Sequence, residues 1–372
     1  EVETVAVYGG DPIHKQLKAL RGKSQIVVGT PGRVADFVRK NKIDFSGIRY
    51  LALDEADEML NMRFKEEIDE ILAATPEEKQ TLLFSATMPK SVDRIAKTYM
   101  KDAVEISVAT RNEGSKDVKH VYYQTHPRDR YQVLRRVVDM NSDMYGIVFC
   151  RTRNDCKELV AKLSADNYAA EAIHAELNQV QREKVMDRFR RQQVKLLVAT
   201  DVAARGIDVK NLSQIINYSL PDQLENYVHR SGRTGRAGNS GTSIALVSSR
   251  ELRSIKYLEH SMSQKFERGI IPTGEEVCKN QLARIVEKVE NVEVDETLTE
   301  DYLSTVYEKL AHLDKETIIK LFVSLEFNKF LSFYKNSTDL NVSENSDFSR
   351  RGGVSGDVKT LKINFGKKDG FE

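Results

Sequence analysis

Short apolar runs alternate with polar, helix-spaced stretches along the first part of the chain. VETVAVYGG reads as a strand ending in two glycines, HKQLKAL as a short helix, and SQIVVGTPGR as a strand ending in Thr-Pro-Gly. RVADFVRK then reads as a helix, IRYLAL as a strand, FKEEIDEILAATP as a helix, QTLLFSATMP as a strand and KSVDRIAKTYM as a helix. Short continuous apolar runs bounded by turn signals suit strands buried on both faces. Their alternation with helices predicts βαβ units and a parallel sheet. Residues 108–119 are polar and break the pattern, which predicts a linker.

The rhythm then restarts. MYGIVFCRTR, AAEAIHAEL, VKLLVATDVAARG, LSQIINYSLP and GTSIALVSS read as strands, with helices such as VQREKVMDRFRRQ between them. The fold class expected is therefore α/β, with two successive parallel-sheet domains over residues 1–107 and 120–262. Residues 270–336 have helical period and no strand candidates. Their apolar positions include Leu282, Ile285, Val286 and Val289, then Leu303, Val306 and Leu310, then Ile318, Ile319, Phe322 and Leu325. Two readings stand side by side: a small bundle packed on the second domain, or a module that pairs two copies of the chain. Residues 337–358 are rich in Ser, Asn and Gly and read as a disordered linker. TLKINF, within residues 359–372, begins one more strand.

Composition changes this picture little. The 57 basic and 56 acidic residues leave a net charge of +1, so partners can be sought only in local clusters. Three cysteines, Cys150, Cys156 and Cys278, are too few and scattered for a disulfide framework or zinc site. They read as reduced thiols, which favours the cytoplasm. No apolar stretch approaches the ~20 residues of a membrane span. The chain begins with Glu1, and we expect it to be a piece of a longer protein.

Two clusters carry chemistry. The strand IRYLAL ends in Asp54, Glu55, Ala56 and Asp57. Carboxylates past a parallel strand sit where open α/β sheets place ligands, and a Mg2+ ion on a nucleotide takes their oxygens directly or through water. A neighbouring Glu can orient or deprotonate an attacking water. The plainer alternative is a helix N-terminus, where acids favour the dipole. The segment HRSGRTGRAG, residues 229–238, sets Arg230, Arg233 and Arg236 among glycines. Arginines at this spacing can converge on phosphate oxygens, and supplied from a second domain they form the arginine-finger design. The plainer alternative here is a solvated basic loop.

These clusters, with others in a fixed order, resemble the signature motifs of the DEAD-box RNA helicases over about residues 1–262. The further matches are Gly9-Gly10, Thr30-Pro31-Gly32-Arg33, Ser85-Ala86-Thr87, VFCRT at residues 148–152, Gln179 with Arg182, and ATDVAARGID at residues 199–208. The resemblance implies two RecA-like domains that clamp ATP and RNA between them. It implies that Asp54 meets Mg2+, through water, and that Asp54 and Glu55 position the attacking water. Arg233 and Arg236 would reach the γ-phosphate, and Gly206 and Asp208 would meet the nucleotide from the second domain. Asp57, Ser85, Thr87 and His229 would couple nucleotide state to domain closure. Gly9, Gly10, Thr30, Gly32, Arg33, Arg151, Thr152, Gln179, Arg182, Thr200 and Asp201 would line the RNA track. Structured or duplex RNA, including ribosomal RNA, is the implied partner, with ribosome assembly and cold-shock remodelling as settings. Residues 270–336 resemble the dimerisation module of bacterial cold-shock members, and residues 359–372 the start of an RRM-like domain. The end of the chain is locally basic, with Arg350, Arg351, Lys359, Lys362, Lys367 and Lys368, which suits a phosphate-rich partner; a plain solvated tail is the alternative for Arg350 and Arg351.

One expected part is missing. A P-loop, GxxxxGK[ST], cradles the β- and γ-phosphates of such enzymes. The only candidate is Gly22-Lys23-Ser24, whose partner position is Leu17, and it follows a helix and precedes a strand. It reads instead as a helix end with Gly as C-cap. The first RecA-like domain is thus expected to be incomplete, with an exposed edge or apolar face. The chain as given is expected not to hydrolyse ATP appreciably. Two other functions remain open: an ATP-independent RNA-binding or annealing module, and a DNA translocase of the same two-domain design.

Overall fold

The computed structural model describes residues 2–22, 24–62, 64–107, 117–141, 143–204, 207, 209, 212–223, 225–235, 240–293, 303, 305–335 and 337–342. Most of the linker, the Ser/Asn/Gly-rich segment from 343 onward and the RRM-like start lie outside these residues.

In the first domain, β1 (Thr4–Val7) pairs in parallel with β2 (Ile26–Gly29), and β3 (Tyr50–Leu53) with β4 (Gln80–Leu83). Among the described residues the two pairs do not join into one sheet. Each has its own small core. Helix Pro31–Arg39 buries Val34, Ala35 and Phe37 with Val7 and Ile71. Helices Lys65–Ala73 and Lys90–Tyr99 bury Ile68, Leu72 and Ile95 with Leu53. The strands and their ends keep apolar side chains in solvent: Val28 is 62% exposed, Tyr50 70% and Phe84, just past β4, 55%. Helix Ile13–Leu20 is capped by Arg21 in a right-handed conformation, so Gly22 is not its C-cap; the Gly22 N–H closes the turn onto the Ala19 carbonyl.

The second domain holds seven parallel strands. In chain order they are β5 (Val118–Gln124), β6 (Gly146–Phe149), β7 (Ala170–Ile173), β8 (Leu196–Ala199), β9 (Gln214–Asn217), β10 (Gly241–Val247) and β11 (Phe266–Gly269). They lie in the order β11-β5-β10-β9-β6-β8-β7. β6 and β8 are buried at every position, which explains their unbroken apolar sequences. A Cβ at Gly146 would lie 2.2 Å from the Gln214 carbonyl oxygen, so the approach of β6 to β9 requires glycine there. β5 and β11 were not expected. β5 opens inside the segment read as linker, and β11 lies past residue 262. β11 is an edge strand that buries only Phe266, so its sequence has no apolar run to display.

The C-terminal helices Gly274–Glu290 and Lys315–Tyr334 pack on each other, and the first packs on helix Arg130–Met140. Polar side chains fix this seat. Asp139 accepts hydrogen bonds from the Tyr168 hydroxyl at 2.6 Å and from the Tyr334 hydroxyl. Buried Arg136 donates to the carbonyls of Pro272 at 2.9 Å and Thr338 at 2.7 Å. The Asn341 amide accepts from the Ile271 N–H at 2.8 Å and donates to the Ile271 carbonyl at 3.0 Å. The helical segment is therefore built onto the second domain. Its outer face still presents Ile319, Phe322 and Leu325 to solvent.

Candidate active site

β3 delivers Asp54 and Glu55 at its carboxyl end, and helix Ala56–Asn61 follows at once. The turn between them needs Glu55 at φ 51°, a left-handed conformation that a residue with a Cβ adopts at a cost. Asp54 Oδ1 accepts the Glu55 N–H at 2.9 Å, and both carboxylates stay exposed. An oriented yet solvated carboxylate suits a magnesium ion that keeps most of its water, so the residues fit the implied ion.

Asp57, the second residue of the same helix, is buried. Its Oδ2 accepts the Thr87 N–H at 2.8 Å and the Thr87 hydroxyl at 2.5 Å. Its own N–H donates to Ser85 Oγ at 3.3 Å, and that hydroxyl donates to the Thr87 carbonyl at 2.6 Å. From the second domain, His229 brings Nε2 to 3.2 Å from Asp57 Oδ2 and 3.7 Å from Glu58 Oε1. Burial would raise the Asp57 carboxyl, but hydrogen bonds from His229 and Thr87 outweigh it and hold the group well below the usual carboxylate range. Burial opposes charge on His229 too, yet the Asp57 hydrogen bond and the charges of Asp57 and Glu58 leave its pKa raised. The structure thus joins Asp57, Ser85, Thr87 and His229 in one network across the domains.

A small cleft lies beside this network, lined in part by Glu58, Asp201, Asn226, His229, Arg230 and Arg233. Arg233 stands at its edge and donates to the Ile207 carbonyl at 3.2 Å. Gly206, Asp208 and Arg236 lie outside the described residues.

The residues assigned to RNA fall into two groups. In the first domain, the Thr30 N–H donates to the Val7 carbonyl, and Arg33 Nη1 donates to the Asp11 carbonyl at 3.2 Å, beside Gly9 and Gly10. Gly10, at φ 91°, turns that loop in a conformation open to glycine. Gly32 sits at the start of helix Pro31–Arg39. In the second domain the residues gather past the carboxyl ends of β6 and β8 and just beyond β7. Arg151 pairs with Asp222 at 3.0 Å, and the Thr152 hydroxyl caps helix Arg153–Ala165. Gln179 donates to Glu183 at 2.9 Å, and Arg182 Nη2 donates to the Ala203 carbonyl at 2.6 Å. The Thr200 carbonyl starts the short helix Asp201–Ala204. Both oxygens of Asp201 are taken by Arg230.

Sequence reasoning missed Gln16. Its amide donates to the Tyr8 carbonyl at 2.9 Å and accepts the Tyr8 N–H at 3.2 Å, which holds the strand end before Gly9. The available signal was a polar residue on the buried face of an amphipathic helix beside Leu17 and Leu20. Cys150 and Cys156 are buried, and the Cys150 thiol is pushed up by its hydrogen bond with Cys156 and by burial, as for an inert thiol. Among the described residues no helix is long and apolar enough to cross a membrane.

Comparison with known proteins matches three families in order. Residues 1–95 match the DEAD/DEAH box helicase family, residues 129–238 the helicase conserved C-terminal domain, and residues 277–335 the helical domain of probable ATP-dependent RNA helicases. The chain is 36% identical over 318 residues to the DEAD-box ATP-dependent RNA helicase CshA of Geobacillus kaustophilus, covering 86% of this chain and 68% of that protein. It is 43% identical over 262 residues to the probable ATP-dependent RNA helicase MJ0669 of Methanocaldococcus jannaschii, covering 70% of each. Among solved structures, S. cerevisiae Dbp5 bound to RNA and ADP BeF3 is similar with a TM-score of 0.67 at 26% identity, over 77% of this chain and 74% of that one.

Proposed function

The chain belongs to the DEAD-box ATP-dependent RNA helicases, and from that premise we propose how its residues divide the work of ATP-driven RNA unwinding. The observation that carries the reading is Asp57, which binds Thr87 in its own domain and His229 across the cleft. A buried carboxylate shared in this way couples the nucleotide-side turn to the seating of the second domain.

Asp54 would hold a magnesium ion through water, and Glu55 orients the attacking water. The ion would supply neutralisation of phosphate charge. Arg233 and Arg236 approach the γ-phosphate from the second domain, and Gly206 and Asp208 meet the nucleotide beside them. Asp57, Ser85, Thr87 and His229 report nucleotide state as closure. Gly9, Gly10, Thr30, Gly32 and Arg33 contact RNA from one side; Arg151, Thr152, Gln179, Arg182, Thr200 and Asp201 form the other. Backbone groups, hydroxyls and arginines of this kind meet phosphate and sugar without reading base sequence, and the 2′-hydroxyl distinguishes RNA from DNA. Structured RNA, ribosomal RNA included, is the proposed substrate, and the buried reduced thiols suit a cytoplasmic setting.

The 372 residues contain no GxxxxGK[ST]. RNA-stimulated ATP hydrolysis by this polypeptide is therefore expected to stay at background, and to rise in a longer polypeptide that carries a P-loop ahead of Gly9. Strong turnover in both would overturn the P-loop argument, and turnover in neither would sink the helicase mechanism.

We further propose that two copies pair through the outer face of helix Lys315–Tyr334. Phe322 is 64% and Leu325 75% exposed there, one turn apart. Sedimentation should show a dimer that Phe322→Asp converts to monomer. A strict monomer at high concentration removes the idea.

A further inference from the structure

Arg230 stands within the arginine-rich segment, yet its guanidinium faces inward and is buried. Nε and Nη2 donate to the two oxygens of Asp201 at 2.5 and 2.9 Å. Nη1 donates to Asn217 Oδ1 at 2.9 Å and to the Ser219 carbonyl at 2.7 Å. The guanidinium carbon lies 4.9 Å from the centre of the Phe149 ring. A planar fork bound on two sides and stacked on a third has one orientation, which an ammonium group would not enforce.

The contacts continue inward. Asn217 Nδ2 donates to Ser243 Oγ at 3.4 Å, the Ser243 and Tyr227 hydroxyls lie 2.9 Å apart, and the Tyr227 hydroxyl is 3.1 Å from His120 Nδ1. Tyr227 and Arg230 are one turn apart on helix Glu225–Ser231, so this short helix is fastened by two buried polar side chains. A helix of seven residues has little stability of its own and takes its seat from tertiary contacts. A buried charge out of register with its partners is costly, so these contacts permit one seat. His229 leaves the same helix, next in sequence to Arg230, toward Asp57 and Glu58.

We propose that Asp201 and Arg230 are positioning residues that fix helix Glu225–Ser231 and thereby set the reach of His229 to Asp57. The proposal rests on the reading of the His229–Asp57 contact as a closure contact. It gives Arg230 a role apart from phosphate, which Arg233 and Arg236 serve. It also gives Asp201 a means of passing on what happens beside it: a shift of the Thr200–Asp201 turn moves Arg230, and with it His229.

The test is an interdomain distance measured on the full chain. Spin labels at Lys42→Cys and Lys184→Cys, two exposed positions in different domains, report it in a Cys278→Ser background where the remaining thiols are buried. Asp57→Asn is expected to broaden and lengthen the distance distribution. Asp201→Asn is expected to do the same alone and to add nothing in the double variant, because both changes break one contact. A role confined to stability would lower the unfolding midpoint and leave the distance as it was. Arg230→Met fills similar volume and leaves only the partly exposed Asp201 carboxylate without its partner, rather than a buried guanidinium, so it guards against misfolding and should match Asp201→Asn. A distance unmoved by both Asp201→Asn and Arg230→Met, while Asp57→Asn broadens it, overturns the positioning role. Broadening that adds in the double variant overturns it too. If Asp57→Asn itself moves nothing, the closure reading fails and the proposal falls with it.

Discussion

Replacing Asp57 with alanine should cost the first domain about 3–5 kcal/mol, the usual penalty for breaking a buried, hydrogen-bonded ion pair from one side. The substitution strips an acceptor from the Thr87 N–H, the Thr87 hydroxyl and the Glu58 N–H at once. It also leaves His229 facing only Glu58 among the two carboxylates it now meets. Urea unfolding followed by a first-domain probe should show the loss, and a change below about 1 kcal/mol would mean that water replaces the carboxylate at little cost. The pH dependence separates the interdomain part. The His229 pKa is raised by the contact, so that part is fully present below the ordinary histidine value of 6.5 and fades as pH climbs through the raised value. Wild-type and Asp57→Ala proteins should therefore differ most at mildly acidic pH and converge partly at alkaline pH, where the Thr87 and Glu58 N–H contributions remain.

The second domain should weaken in the opposite direction, toward acid, through His120. This side chain is 3% exposed, stacked on Phe266 at 4.8 Å and set against the Tyr227 hydroxyl. Burial pushes its pKa down to about 4, against a smaller upward pull from Gln264. The unfolded chain takes up a proton near 6.5 that the folded domain resists until about 4. Stability is then whole above the unfolded value and falls by about 3 kcal/mol as pH drops through that window. Asp139, whose carboxyl is raised by burial, works the other way and makes the raw curve shallower. The comparison of wild type with His120→Phe isolates the effect: the variant should keep the ring stack and lose the acid slope. Equal slopes in the two proteins would show that His120 is hydrated and protonated in the folded state.

Much of this was legible because parallel strands buried on both faces must be apolar along their whole length. β6, β8 and β9 announced themselves in that way; β3 and β4 carry similar apolar runs although much of each stays exposed, and the motif residues follow the strands' carboxyl ends. β5 was harder to see. Lys119, His120, Tyr122 and Tyr123 make it a mixed sequence, although it pairs on both sides. It tolerates them because buried His120 finds Tyr227 and Phe266 as partners, a fact stored in residues distant along the chain. Arg230 was opaque for a related reason. In sequence it is one of three arginines among glycines, and only the positions of Asp201, Asn217 and Ser219 reveal that its fork is already filled. The left-handed turn at Glu55 left no trace at all, since glycine is the residue that normally signals it.

The Arg136 clasp has a consequence for the order of synthesis. Domains form from the N-terminal side as the chain emerges, and all seven strands of the second sheet exist once Gly269 is made. Arg136 is by then already made, but its two acceptors, the carbonyls of Pro272 and Thr338, come later. The Tyr334 hydroxyl that satisfies Asp139 is later still than Pro272. A nascent chain therefore carries a finished sheet with an unsealed rear wall until the segment through Val342 folds back.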